Sequence, residues 1–494
     1  MNRFLLAVLY FLTIPQLCSI VLAKDLPKAK LLTLDAVIEL AKEQSPKFRY
    51  AEVLFENKQW QYKTYRSNFL PQLNLNGVLP EYNKTIEPRL TDKGSLIFIN
   101  THNASSSMQL SLGQEIWPTG GYISINSNLK RIDDFQADVN RTRYSSVPAT
   151  ITLTQPIFGF NNRAWDRKIS PLRYEEAKRD YREEMEEIAK EATNHFFNLL
   201  LSQISYQIAE KNIAINDTLY KIAEKKFEDG KIPENELLQM ELALLNSEQN
   251  LDQARLDVEA NTLRLKVFLG VTDNYPIELA APNEIPQFEV DEQIALEQAS
   301  QNRQRVIGFK RELLEAEMRL ARAKGETGFS ANLFASFGLT QQSLAVQEAY
   351  NDPSQQQRVR LGFNIPVMDW GRAEAVLGTA KANHTLTKAN IELQQNSFEQ
   401  EVYLQVKRFR VLRKQMEGAK RADEIAKKRY QITLSRYLDG KIGLIDLNIA
   451  TEERDKASRS YVTSLRNFWV AYYTLRSLTL YDFETNQPLV LPAG

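Results

Sequence analysis

The chain has 494 residues, 43% of them hydrophobic, and its 62 basic side chains balance its 62 acidic ones. That neutrality speaks against a dedicated nucleic-acid binder, which needs a basic excess. One cysteine and three histidines (His102, His195, His384) exclude a disulfide framework and a Cys–His zinc site, and 19 Gly with 18 Pro exclude collagen-like and low-complexity chains.

Met1–Arg3 is a short basic start, followed by an apolar run from Phe4 to Ile14 and small residues at Val21 and Ala23. This pattern predicts a secretory signal peptide over residues 1–23. Cys18 lies inside it, and Pro15-Gln16-Leu17 is a poor lipidation signal. No later stretch approaches the ~18 consecutive apolar residues of a membrane helix. An exported chain of this kind enters a membrane integrally only as a β-barrel.

A helix is expected from Leu34. Strands follow, with apolar residues at every second position: Met108, Leu110 and Leu112, then Ile123 and Ile125, then Ile151 and Leu153. Each reaches about ten residues, enough for a membrane strand, although a half-buried soluble sheet gives the same alternation. His102 falls in a polar stretch, Asn100–Ser107, expected as a loop. From Leu172 to Asp229 there is neither Gly nor Pro, and a second such run extends from Leu444 to Gln487. Runs of this length point to helices packed as coiled coils. Tyr461, Leu465, Phe468, Tyr472 and Leu475 form a heptad seam, and Ile188, Ala192, Phe196 and Leu199 a similar stripe; both read as bundle core. The acidic run Glu183, Glu184, Glu186, Glu187 reads as a solvated face. The basic segment Lys407–Arg429 would bias the field of any channel it lined.

The chain repeats itself. Phe227-Glu228-Asp229-Gly230-Lys231-Ile232 corresponds to Tyr437-Leu438-Asp439-Gly440-Lys441-Ile442, and Gln155-Pro156-Ile157-Phe158 to Ile365-Pro366-Val367-Met368, both at an offset of 210. Pro71–Leu75 matches Phe329–Leu333 at 258, which places a 48-residue insertion in the first half, between about Pro80 and Pro148. Its turn, Pro118–Gly121, either adds a hairpin to the strands or tips a surface loop. Two repeats are expected, 24–292 and 293–494, each running helix, strands, long helix, tight turn, long helix, short strand. Gly230 and Gly440 end the first long helices, and Glu236 and Asp446 fall in the first turns of the next, where a carboxylate suits the helix dipole.

This layout resembles the TolC-type outer membrane efflux proteins. The residues that carry the resemblance are Leu34-Asp35-Ala36, Leu70-Pro71-Gln72-Leu73, Gln155-Pro156-Ile157-Phe158, Pro366-Val367 with Asp369-Trp370-Gly371, and the Asp-Gly turn before Leu447. The resemblance implies a mainly α fold with a smaller β part. Long antiparallel coiled-coil helices would form a periplasmic α-barrel, and amphipathic strands a shared transmembrane β-barrel, in a homotrimer in the outer membrane of a Gram-negative cell. The implied role is the exit duct of a tripartite efflux or type I secretion system, joined through a periplasmic adaptor (membrane fusion) protein to an inner-membrane pump of RND or ABC type. It further implies a gate at the periplasmic tips. Tyr437 resembles the tip aromatic residue, with Phe227 its first-half counterpart. Asp446 and Glu236 resemble the tip acids. Ile449 stands where a second acid is often found and Ile442 where a basic partner is found, with Lys441 and Lys231 one residue away.

No G-x-S-x-G, Walker A, dinucleotide or H-E-x-x-H motif occurs, so neither an enzyme nor a cofactor or metal is expected. The alternative reading is a periplasmic coiled-coil structural or adaptor protein with no pore, its strands in a soluble sheet.

Overall fold

The computed structural model describes residues 31–91, 94–136, 139–272, 277–282 and 285–489; the expected signal peptide, with Cys18, lies outside them. In chain order the elements are β1 (Leu31–Leu32), α1 (Leu34–Gln44), α2 (Pro46–Ser67), β2 (Gln72–Leu90), β3 (Leu96–Ile116), β4 (Gly121–Gln136), β5 (Val139–Ile157), α3 (Asn162–Glu228), α4 (Glu234–Leu269) and β6 (Glu278–Leu279). Then come α5 (Glu292–Asn302), α6 (Gln304–Thr327), β7 (Ser330–Ser343), β8 (Ser354–Asn364), α7 (Arg372–Leu438), α8 (Leu444–Thr479), β9 (Tyr481–Asp482) and β10 (Gln487–Pro488). The paired long helices have the same lengths twice: α3 and α7 are 67 residues each, α4 and α8 are 36.

Several expectations are corrected. α3 begins ten residues before Leu172 and runs through Pro171, which forfeits one backbone hydrogen bond without ending so long a helix. α8 stops at Thr479, where Leu480 takes a left-handed φ of 47°, and the rest of the Gly/Pro-free run turns back as the β9–β10 pair. Asn100–Ser107, expected as a loop, continues β3, because each of its residues up to Ala104 faces a partner on β2 in unbroken register. His102 there accepts or donates a 2.6 Å hydrogen bond with the Tyr82 hydroxyl. The first-half strands reach 16 to 21 residues, well beyond ten.

The chain divides into two units, residues 1–40 with 195–284, and residues 41–194 with 285–494. In the first, α3 and α4 pack over Phe196, Leu199, Met240, Leu265 and Leu269, all buried. Polar pairs tie the two helices together, Asn216 to Ser247 and Asn261 to Ser202, each at 2.6 Å. His195 stacks on Phe268 at 4.7 Å between ring centroids, the packing role its apolar neighbours suggested. β1 and β6 pair in parallel.

In the second unit, α7 packs along α6 and α8. The heptad seam is realised: Leu465, Phe468, Tyr472 and Leu475 are buried, with Phe409 set 5.3 Å from Phe468. Ile188 and Ala192 on α3 are fully enclosed.

The acidic run on α3 is not a solvated face. Glu186 is only 4% exposed. One carboxylate oxygen accepts from Lys42 Nζ of α1 at 2.8 Å, and the other from Arg476 Nε of α8 at 2.8 Å. Arg476 also reaches Asp482 at 2.7 Å and the Tyr472 hydroxyl at 3.1 Å. Burial alone would push Glu186 up, but the charges of Lys42 and Arg476 outweigh it and hold the carboxyl below its ordinary range. Tyr472 is pushed up to about 12, chiefly by burial. Glu183 goes the other way: burial raises it despite Arg303.

Glu186→Ala strands buried cations and should cost about 3 kcal/mol, read as a lowered thermal transition in detergent. Because the folded carboxyl titrates below the ordinary value of 4.5, its contribution is complete above that pH and is lost as pH falls through the folded value. The variant should therefore lose part of the acid sensitivity of the wild type.

Candidate functional site

Two places in the fold are candidates: the turns at the ends of the long helices, and the sheet.

Both helix turns are built alike. Gly230 and Gly440 have φ of 68° and 71°. At the first, the Gly230 N–H donates to the Phe227 carbonyl and the Lys231 N–H to that of Lys226. At the second, Gly440 donates to Tyr437 and Lys441 to Arg436. This double closure is the Schellman arrangement, which needs a residue tolerant of left-handed backbone. Lys231 then turns back to Asp229 at 2.8 Å and Lys441 to Asp439 at 2.9 Å. Both lysines are thus engaged within their own turn. Glu236 and Asp446 lie in the first turns of α4 and α8, as expected. Asp446 is exposed and Glu236 half-buried, and among the described residues no ion pair reaches either. Tyr437 is half-buried and Phe227 partly exposed.

The basic segment of α7 is largely engaged rather than free. Lys407 and Arg410 both pair with Glu292, at 2.6 and 3.0 Å. Arg413 donates to the carbonyls of Pro286 and Phe288, strapping that stretch to the helix.

The sheet has six antiparallel strands in the order β2-β3-β4-β5-β7-β8. Its register aligns Leu73, Leu112, Ile125, Ile151 and Phe337 in one row across five strands. Beside it run Ile123, Leu153, Ala335 and Val359, then Leu333 and Leu361. On the opposite face, Asn74, Ser111, Asn126 and Thr150 align, as do Ser124, Thr152, Ser336 and Arg358. Ser111 donates to Asn126 at 2.6 Å, and Asn126 to Ser124 at 2.9 Å. On the inner strands the burial is the reverse of a soluble sheet: Ile125 and Ile151 are each 47% exposed, while Ser124 is buried. Two of the prolines inside the strands sit at breaks in register, Pro80 between Val78 and Glu81 and Pro148 between Ser146 and Thr150, while Pro88 and Pro156 lie in continuous register. Beyond the apolar rows the first-half strands carry charged pairs, Arg131 with Asp133 and Arg143 with Asp134.

A sheet with apolar rows on one face and polar rows on the other is thus attached to long helical hairpins. Residues 37–271 match the family model described as outer membrane efflux protein, which bears out the resemblance to TolC-type outer membrane efflux proteins. Solved structures show the same fold at low identity. The CmeC outer membrane channel of Campylobacter jejuni matches with a TM-score of 0.65 and 16% identity, over 92% of this chain and 87% of that one. A membrane protein from Pseudomonas aeruginosa matches with 0.64 and 13%, over 93% and 92%. The outer membrane protein VceC of Vibrio cholerae matches with 0.61 and 13%, over 90% and 96%. No curated protein matches in sequence. The family match and these folds support an efflux duct role in the outer membrane. No described helix is long and apolar enough to cross a membrane.

A Cβ added at Gly230 or Gly440 would meet nothing within 4 Å, so the cost of substitution is the left-handed backbone alone. Gly230→Ala and Gly440→Ala should each lower stability by about 1 kcal/mol, and Gly440→Asn by less, measured by thermal melting in detergent.

Proposed function

We propose that three copies of this chain close one outer-membrane β-barrel and continue it as a periplasmic helical tunnel. The assembly would be the exit duct of a tripartite efflux or type I secretion system. An inner-membrane pump of RND or ABC type would feed it through a periplasmic adaptor protein. The observation that carries this reading is the outward apolar face of a sheet whose two edges, β2 and β8, have no strand beside them. Unpaired edges in lipid leave backbone groups unsatisfied, and six strands fall short of the ~8 a single-chain barrel needs. An even strand number lets β8 of one copy meet β2 of the next in antiparallel order. A pore-free periplasmic coiled-coil protein would turn the apolar rows inward instead. The repeats 24–292 and 293–494 are inferred as halves of one duplication, supported by the matched helix lengths.

At the tips, Tyr437, Asp446 and Lys441, with Phe227, Glu236 and Lys231, would form the closed entrance. Repeated three times, the two acids would put six carboxylates near one axis, biasing it towards cations.

Leu361→Arg places a charge at mid-membrane depth and should cost roughly 2–4 kcal/mol, abolishing insertion into liposomes, whereas Thr152→Ser on the polar face should insert normally. Equal insertion of both would sink the barrel reading. For the entrance, the double variant Asp446→Ala with Glu236→Ala should alter single-channel conductance and cation preference in planar bilayers with little change in trimer stability. Unchanged conductance, with slightly reduced stability, would reduce both acids to helix-dipole partners worth ~0.3–1 kcal/mol each.

A further inference from the structure

The two halves do not contribute equally to the sheet. The second supplies β7 and β8, joined across residues 344–353; the first supplies four strands, with β3 and β4 lying between β2 and β5. This extra hairpin is the 48-residue insertion, and it is built into its surroundings. The Asn161 amide at the start of α3 donates to the carbonyls of Trp117 and Pro118 in its turn, at 2.9 and 3.1 Å. Arg163 pairs with Glu115, and the Arg167 guanidinium lies 3.7 Å from the centroid of the Trp117 ring. Two neighbouring rows, one on each face of the sheet, also pass through the hairpin. Leu112 and Ile125 stand in the apolar row between Leu73 and Ile151, and Ser111 and Asn126 in the polar row between Asn74 and Thr150. A hairpin folded into a bore as a plug would carry that apolar row into water, and one splayed outside the barrel would carry the polar row into lipid.

We propose that β3 and β4 are wall strands, so that the barrel has eighteen strands, six from each of three copies, and that its bore passes bulky hydrophilic cargo. This rests on the trimeric barrel reading above. At a given strand tilt the radius of a barrel grows linearly with strand number. Six strands per copy in place of the four that two equal halves would give widens the bore about 1.5-fold. Barrels of 16–18 strands leave an open aqueous channel. The wall facing that channel is made of hydroxyls and amides: Ser111, Ser124, Asn126, Thr150 and Thr152, with cations entering the rows at Arg358 on β8. Such groups exchange hydrogen bonds with a hydrated solute, and Arg358 and Arg360 add positive charge along one strand of each copy. The cargo class that fits is large and hydrophilic.

The test places one nitroxide label at a time at residue 112, 125 or 361 of the full-length protein in lipid, through Leu112→Cys, Ile125→Cys or Leu361→Cys on a Cys18→Ser background. Oxygen reports lipid exposure and a water-soluble nickel chelate reports water. All three labels should favour oxygen. Lipid exposure at 361 with water exposure at 112 and 125 overturns the eighteen-strand wall and leaves the barrel standing; water exposure at all three overturns the barrel itself. Bore width is read from the largest neutral polyethylene glycol that lowers conductance when added on the outer side. A variant with residues 79–144 replaced by an Asn-Gly turn joins β2 to β5, and the wild-type cut-off radius should exceed its own by about 1.5-fold; equal cut-offs overturn the proposal. Where that variant fails to insert, strands counted in cross-section by electron microscopy of the wild type decide: eighteen are expected, and twelve refute it.

Discussion

The larger unit depends on one buried carboxylate. Glu186 lies within a 67-residue helix and binds Lys42 of α1 with one oxygen and Arg476 of α8 with the other. Residues 144 and 290 positions away in sequence thereby meet at one point. Long helices with repetitive apolar stripes are prone to slide by a heptad, because the next register buries nearly the same surface. A buried charge has no such freedom: any shift leaves it unpaired, at a cost of several kcal/mol. Arg476 extends the constraint to Asp482, and so fixes the chain where it leaves α8 at the left-handed Leu480. The gain here is in specificity of register more than in net stability, since burial penalises both ions before their partners compensate.

The sheet obeys the opposite logic. On its inner strands Leu112, Ile125 and Ile151 are exposed while Ser124 is buried and Ser111, Asn126, Thr150 and Thr152 are half-buried. In water that arrangement is unfavourable by the area of each exposed side chain, so the sheet is built for a solvent other than water. The same choice governs its edges. β2 and β8 would be aggregation sites in a soluble protein; within a membrane they specify a neighbour.

How much of this was legible in the sequence follows from the range of the interactions. Alternation along Met108–Leu112 and Ile151–Leu153 gave strands, and the heptad from Leu465 to Leu475 gave a buried seam, because each pattern is local and periodic. Asp-Gly-Lys gave both turns, since their chemistry is complete within six residues. Glu186 was misread as solvated because its three acidic neighbours Glu183, Glu184 and Glu187 look like a charged face, and its partners lie on other elements. Asn100–Ser107 was misread as a loop for a related reason: both faces are polar, so only the facing residues of β2 reveal a strand. The hairpin in the insertion was legible as two alternating stretches, but its membership of the sheet depended on pairing with β2 and β5 that no local pattern records.

The two turns also limit what remains available for gating. Each needs its glycine for the left-handed backbone, its aspartate for the lysine, and the carbonyls of Phe227 and Tyr437 for closure. None of these groups can change partner without opening the turn. Closure uses only the backbone of Tyr437, and Asp446 and Glu236 stand one turn into the following helices with no ion partner among the described residues. The turn itself is thus made by backbone and by Asp-Lys pairs, without Asp446 or Glu236. The departures from the family pattern at Ile442 and Ile449 fit that division. With Lys441 committed to Asp439, the acids have no built-in cation to hold them shut. What would keep such an entrance narrow is the packing of the helices behind it, at Leu444, Leu447 and Ala450, all buried, rather than a network of charges across it.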